Sequence, residues 1–271
     1  MKLKMLALSL LALPLIAAPP RISNGSVQSL PSLAQAESLP GGGWVGYTIA
    51  TARPLSISCC GGQWSNCYQC RLGNDDGFSI NRRDPDDLGP STAQVLLFAR
   101  LRDKQVDRLR FFSPGCNVEA NGQTIYWVDN VSQSESIAFL RRIVDTGAER
   151  GRDGALLALS LHAGATDTLI DIARRHPSGN VRGKALFWLS QQAGQKAAAA
   201  LRDAVENDPE EQVRGKAVFG ISQLPNDQSI PLLIDLLKHN RSREVRKKAA
   251  FWLGQKNDPR ALEAIEDILK Q

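Results

Sequence analysis

One phrase recurs three times in this chain. It reads VRGKALFWLSQ from Val181 to Gln191, VRGKAVFGISQ from Val213 to Gln223 and VRKKAAFWLGQ from Val245 to Gln255, at a constant spacing of 32 residues. A fixed period in the range of 20 to 50 residues marks a repeat architecture, in which each unit buries its apolar face only by stacking on its neighbours. This constrains the C-terminal half to a solenoid more firmly than any local propensity could.

The chain has 271 residues, 42% of them apolar and 23% charged, a composition that supports a packed core and more than one typical domain. The formal net charge is +5, and Lys and Arg are interleaved with Asp and Glu rather than gathered in blocks. That pattern argues against a dedicated nucleic-acid binder and for a mildly basic solvated surface.

The first residues read as an export signal. Lys2 and Lys4 precede an almost wholly apolar run from Leu6 to Ala18, and an Ala-Gln-Ala sequence at Ala34 to Ala36 offers a cleavage site. The run is short for a membrane span of about 20 residues. No cysteine follows it to accept a lipid, and the Ser-, Pro- and Gly-containing stretch from Pro20 to Gly43 reads as a removed or flexible leader. The expected organisation is a leader over 1–36, a linker over 37–43, a small β-rich domain over 44–131 and a helical solenoid over 132–271. The expected location is periplasmic or secreted, with no membrane contact beyond the export signal.

Trp44 to Ile49, Val95 to Leu101, Val106 to Phe112 and Thr124 to Trp127 suit strands, the middle two joined as a hairpin around Asp103-Lys104. Asn121-Gly122 is a strong two-residue turn signal. Between Arg53 and Thr92, Gly, Asn, Asp and Pro predominate, so this region is mostly loop. It holds Cys59, Cys60, Cys67 and Cys70, with Cys116 apart. Three readings stand. Disulfides would staple a small exported domain and leave one thiol over; a zinc knot would use the Cys67-x-x-Cys70 turn, although the adjacent Cys59-Cys60 pair lacks the usual spacer; a redox Cys-x-x-Cys lacks its βαβ setting.

From Ser132 onward the period is helical. Ser132 and Glu135 form a capping-box pattern ahead of Ile137, Leu140, Ile143 and Val144. Gly154 to Gly164 aligns with Lys184 to Gly194 as a degenerate repeat, and each later unit reads as two helices, with Pro209, Pro225 and Pro259 at helix edges. The Val-Arg-x-Lys-Ala helix, followed by an Asp-Pro turn and an Ala-Leu helix at Asp258 to Leu262, resembles HEAT-like repeats of the compact kind seen in phycobilin lyases. Together with Trp44-Val-Gly-Tyr47, the cysteine cluster and Phe112 to Cys116, the whole chain is similar to secreted bacterial HEAT-repeat proteins of largely unassigned function. The resemblance implies a mainly α fold: a C-terminal HEAT-like α-solenoid preceded by a small β-rich, cysteine-containing domain.

On a helical wheel Val181, Ala185, Trp188 and Leu189 share the core sector, as do Val213, Ala217 and Ile221, and Val245, Ala249, Trp252 and Leu253. The opposite side carries Lys184, Phe187 and Gln191, repeated as Lys216, Phe219 and Gln223 and as Lys248, Phe251 and Gln255. Stacked, these form a ladder of cationic, aromatic and amide rungs on the second helices, which line the concave groove in HEAT-like solenoids. Either the phenylalanines fill gaps between repeats or they meet a partner. Arg182, Arg214 and Arg246 read as structural, pairing with acids such as Glu210, Glu211 and Glu244.

Catalytic patterns are missing. His162, His176 and His239 fall in different repeats without metal-ligand spacing, and no nucleophile motif or Gly-rich phosphate loop occurs. The expectation is a non-catalytic scaffold without a cofactor, binding another protein and not nucleic acid through the ladder. The alternatives are a cysteine-based metal or thiol module with the repeats as support, and a tetrapyrrole lyase-like protein.

Overall fold

A computed structural model describes residues 20–39, 41–55, 71–73, 92–114, 116–192 and 194–270. The export run over 1–19 and four of the five cysteines lie outside the described residues.

Among the described residues seven strands come first: β1 (Arg21–Ser23), β2 (Ser26–Ser29), β3 (Gly43–Leu55), β4 (Thr92–Arg102), β5 (Gln105–Phe112), β6 (Asn117–Glu119) and β7 (Thr124–Trp127). A five-stranded sheet runs in the order β2-β7-β3-β4-β5, and β1 pairs with β6 in a small second sheet. The expected hairpin and turn both form. Asp103 and Lys104 (φ 51° and 63°) turn β4 into β5, and Asn121 and Gly122 (φ 52° and 76°) lead into β7, the left-handed backbone that two-residue turns need. The β4–β5 register slips between Arg100 and Leu101.

The sheet is buried on both faces, and its alternation sorts side chains to each. Val45, Tyr47, Ile49, Val95, Leu97, Ala99 and Phe111 share one core with the helices. Trp44, Leu96, Phe98, Phe112, Ile125 and Trp127 turn the other way, onto Leu72, Cys116, Val118 and Ala120. Gly46 lies where Phe98 and Trp127 cross the strand; a Cβ there would come within 2.9 Å of both rings.

The segment expected to be a leader is part of this domain. β1 pairs with β6, β2 pairs with β7, and a 3₁₀ turn over Leu33–Ser38 buries Leu33 and Ala36 completely. Ala36 of the Ala34–Ala36 site is thus part of the core while Ala34 and Gln35 are exposed, and cleavage there would remove two strands. Within the linker expected over 37–43, Ser38 ends the 3₁₀ turn, Gly43 begins β3, and Gly41, Gly42 and Gly43 have positive φ.

Among the described residues nine helices follow: α1 (Gln133–Thr146), α2 (Glu149–Leu161), α3 (Thr166–Arg175), α4 (Gly179–Gln192), α5 (Gln195–Asn207), α6 (Glu211–Ser222), α7 (Asn226–His239), α8 (Arg243–Gly254) and α9 (Pro259–Leu269). They alternate between two layers: α2, α4, α6 and α8 pack on one another in series, with α3 against α5 and α7 against α9 on the other side. No described helix is long and apolar enough to cross a membrane.

The β domain and the helices share one continuous core. Ser132 caps α1 by accepting the Glu135 amide at 3.2 Å. The Glu135 carboxylate does not complete the capping box; its Oε1 instead accepts the Leu33 amide at 2.9 Å, tying the N-terminal segment to α1. At the same junction Ser136 Oγ lies 3.1 Å from the Tyr47 hydroxyl and 3.0 Å from His162 Nε2, while His162 Nδ1 is 2.7 Å from the Ala163 carbonyl. Burial pushes the Tyr47 phenol far up and the His162 imidazole down, so both are neutral near pH 7. A neutral His162 spends its one N–H on Ala163. Beside it the Ser136 hydroxyl donates to the Tyr47 hydroxyl.

Candidate functional site

The ladder occupies the exposed side of α4, α6 and α8. Phe187 is 38% exposed and Phe251 58%, with Phe219 half-buried between them. The Phe187 and Phe219 rings are parallel (1°) with centroids 6.5 Å apart, Phe219 meets Trp252 at 5.1 Å, and Trp252 meets Phe251 at 4.9 Å. Trp188 adjoins Phe187 at 5.0 Å. Five aromatic side chains thus form a continuous strip across three repeats, each contact worth about 0.5–1.5 kcal/mol beyond its buried area. The two readings of the phenylalanines are both partly true: one edge packs between repeats and the other faces solvent.

Trp188 and Trp252 are corrected from core to strip. Both are half-buried at the margin of the core, whose central places go to Val181, Ala185, Leu186 and Leu189 and, in the next repeat, to Val213, Ala217, Val218 and Ile221. Helical-wheel reasoning took the sector too broadly. In the middle repeat Gly220, which is buried, stands where its neighbours have Trp188 and Trp252. A Cβ on Gly220 would come within 2.5 Å of Leu201.

The cationic rungs differ. Lys184 Nζ donates to both carboxylate oxygens of Asp153, at 2.6 and 2.8 Å. Lys216 Nζ reaches only the neutral Asn180 Oδ1 at 3.3 Å, and Lys248 has no salt bridge among the described residues. The stems of Lys216 and Lys248 lie over Gly183 and Gly215 of the preceding repeats. The amide rungs Gln191, Gln223 and Gln255 are exposed, and the Nε2 groups of Gln191 and Gln223 donate to the adjacent Ser190 and Ser222 hydroxyls.

The repeated arginines are structural, mainly through backbone carbonyls, and of the acids expected Glu210 pairs with Arg182. Arg182, Arg214 and Arg246 each donate to two backbone carbonyls closing the helix before them: His176 and Pro177, Asp208 and Pro209, Asn240 and Arg241. These are C-terminal carbonyls that the helix leaves unpaired. Arg182 also forks onto Asp208 at 2.8 and 3.0 Å and reaches Glu210, joining its repeat to the next. The Asp208 carboxylate beside it raises the Arg182 pKa further. Glu244 pairs with Lys247 instead of Arg246.

Elsewhere, a cleft of about 540 Å³ where the sheet meets α2 is lined by Arg100, Arg102, Asp107, Arg108 and Glu149. Arg100 forks onto Asp107 within it, at 2.8 Å for both bonds. Among the described residues no group of three or more His, Cys, Asp or Glu is placed to hold a metal. Cys59, Cys60, Cys67 and Cys70 lie outside the described residues. Cys116 is buried at 2% exposure in the second core cluster.

A family model for HEAT repeats matches residues 166–250 and again 198–271. Residues 166–271 carry HEAT repeats. The match spans the α3–α9 helices, and the aromatic strip is a product of HEAT-repeat stacking; nothing in it narrows the repeats to the phycobilin-lyase type. No curated protein matches the chain. Among solved structures, human deoxyhypusine hydroxylase in complex with glycerol is similar at 18% identity over 49% of this chain and 55% of that one, with a TM-score of 0.33. A de novo designed 16-helix transmembrane nanopore is similar at 22% identity over 51% of this chain and 45% of that one, with a TM-score of 0.14. The chain spans about half the length of each, and neither likeness carries an argument about activity or partners.

Proposed function

We propose that this chain is a non-catalytic scaffold that binds another protein on the face built by α4, α6 and α8, the concave side of its HEAT repeats. The observation that carries this reading is the solvent-facing half of the aromatic strip. Phe187 and Phe251 keep much of their surface in water although Leu186 and Leu189, on the same helix as Phe187, are fully buried. Aromatic side chains held rigid by their neighbours, with charged and amide groups beside them, are the composition of an interface anchor. The setting proposed is the periplasm or the exterior. A disulfide between Cys116 and one of the loop cysteines would fit that setting, and its support is that Cys116 is buried in an exported domain of this kind.

The test is recovery of a binding partner from envelope extract by the immobilised protein, compared with a Phe187→Ala, Phe251→Ala variant whose circular dichroism and melting temperature match the parent. Recovery of the same partner should fall at least about tenfold, since truncating an interface anchor costs about 2 kcal/mol or more. Undiminished recovery by the folded variant would overturn the assignment of this face.

A further inference from the structure

Resting on the reading above, we infer that the occupant of this face is an acidic segment of the partner, lying extended across the repeats. The charge of the two helical layers differs in sign. Counting Lys and Arg against Asp and Glu, α4, α6 and α8 carry +2, +1 and +3, whereas α3, α5, α7 and α9 carry 0, 0, −1 and −2. The excess on α8 is Arg243, Arg246, Lys247 and Lys248 against Glu244 alone. Part of the positive charge is already spent: Arg182 is paired with Asp208, Lys184 with Asp153 and Lys247 with Glu244, and Arg214 and Arg246 are turned onto backbone carbonyls. Lys216 and Lys248 are not spent. Both are exposed, neither has a carboxylate within salt-bridge distance among the described residues, and each sits three residues before an aromatic rung, Phe219 or Phe251.

The geometry suits a polypeptide. Packed helices lie about 8–10 Å apart, and an extended chain in the polyproline II conformation advances about 3.1 Å per residue with about three residues per turn, so each repeat spans about three residues laid across it and every third side chain faces the same way. Carboxylates at every third position would meet Lys216 and Lys248, with apolar side chains between them on the aromatic strip. Gln191, Gln223 and Gln255 recur at the same interval, and each amide can both donate to and accept from a peptide backbone. Two unpaired lysines are few for a nucleic-acid strand, whose affinity rests on many phosphate contacts.

Selection of random 12-residue peptides displayed on phage against the full chain tests the inference. Selected peptides should be enriched at least about twofold in Asp and Glu, with a spacing near three. Their affinity should fall at least about tenfold in a folded Lys216→Glu, Lys248→Glu variant and several-fold as salt rises from 50 to 300 mM. Failure to enrich carboxylates, or affinity indifferent to the charge reversal, overturns the acidic occupant. If such peptides still weaken in Phe251→Ala, the scaffold reading survives that failure; if they do not, both fall. Tighter binding of a 12-nucleotide oligothymidylate, lost in the same reversal, would make the occupant a nucleic acid and overturn the inference. So would a mass that rises with protein concentration and collapses in the reversal, since a second copy would then fill the face with its acidic α7–α9 side.

Discussion

Lys216 lies across Gly183, and one repeat later Lys248 lies across Gly215, so that a Cβ built on Gly215 would come within 2.8 Å of Lys248. The third residue of the repeated phrase is therefore glycine where another repeat follows. In the third copy of the phrase that residue is Lys247.

A double-mutant cycle isolates this contact. Gly→Ala in a helix ordinarily stabilises by about 0.5–1 kcal/mol. Gly183→Ala should show that gain in a Lys216→Ala background and lose it, or change sign, in the parent. Chemical denaturation of the four proteins measures the coupling, and equal effects in both backgrounds would show that the lysine stem does not rest on Gly183.

The Arg182–Asp208 pair joins two repeats with both side chains almost fully buried, at 6% and 4% exposure. Asp208→Ala leaves a buried guanidinium with only Glu210 and two carbonyls, and should cost about 3–5 kcal/mol. Asp153→Ala, which breaks the half-exposed pair with Lys184, should cost under about 1 kcal/mol. Comparable losses in the two variants would contradict this ranking.

His162 makes stability depend on pH in a known direction. Burial lowers its folded pKa below the ordinary 6.5. The unfolded chain therefore takes up a proton at a higher pH than the folded protein does. The contribution of this group is fully present above about pH 6.5 and is lost as pH falls through the lowered folded value. Melting temperatures from pH 7.5 down to pH 5 should fall more steeply for the parent than for His162→Gln, and parallel profiles would contradict the buried neutral imidazole.

Removal of residues 1–19 should leave the fold intact, whereas removal of 1–36 should not. The longer truncation strips β1 and β2 from their partners and empties the sites of Leu30 and Leu33, each worth about 1.5–3 kcal/mol of apolar burial. The urea midpoint of each truncated protein decides it: equal midpoints would show that the N-terminal segment is dispensable.

The repeats were legible in the sequence because a period of 32 residues writes the same packing instructions three times, and Val181, Ala185 and Leu189 with their counterparts took the buried places expected. The strip was only half legible. A helical wheel treats each helix alone, while the surroundings of Trp188 and Trp252 are set by the neighbouring repeats. The N-terminal strands were illegible for a different reason. β1 and β2 have three and four residues, and their partners β6 and β7 lie nearly a hundred residues away, a pairing that no local pattern announces. Glu135 shows the same limit, for the pattern that named a capping box could not see the Leu33 amide that claims its carboxylate.

Site-specific photo-crosslinking tests the assignment of the α4–α6–α8 face most directly. With benzoyl-phenylalanine at position 251 and, as control, at position 262, an equally exposed apolar site on α9, irradiation in the native envelope should give a discrete protein adduct from 251 and none from 262. The adduct should disappear when Phe187 and Trp252 are replaced by Ala in a folded protein. Adducts from 262 alone, or from neither position, would contradict a partner surface on the aromatic strip.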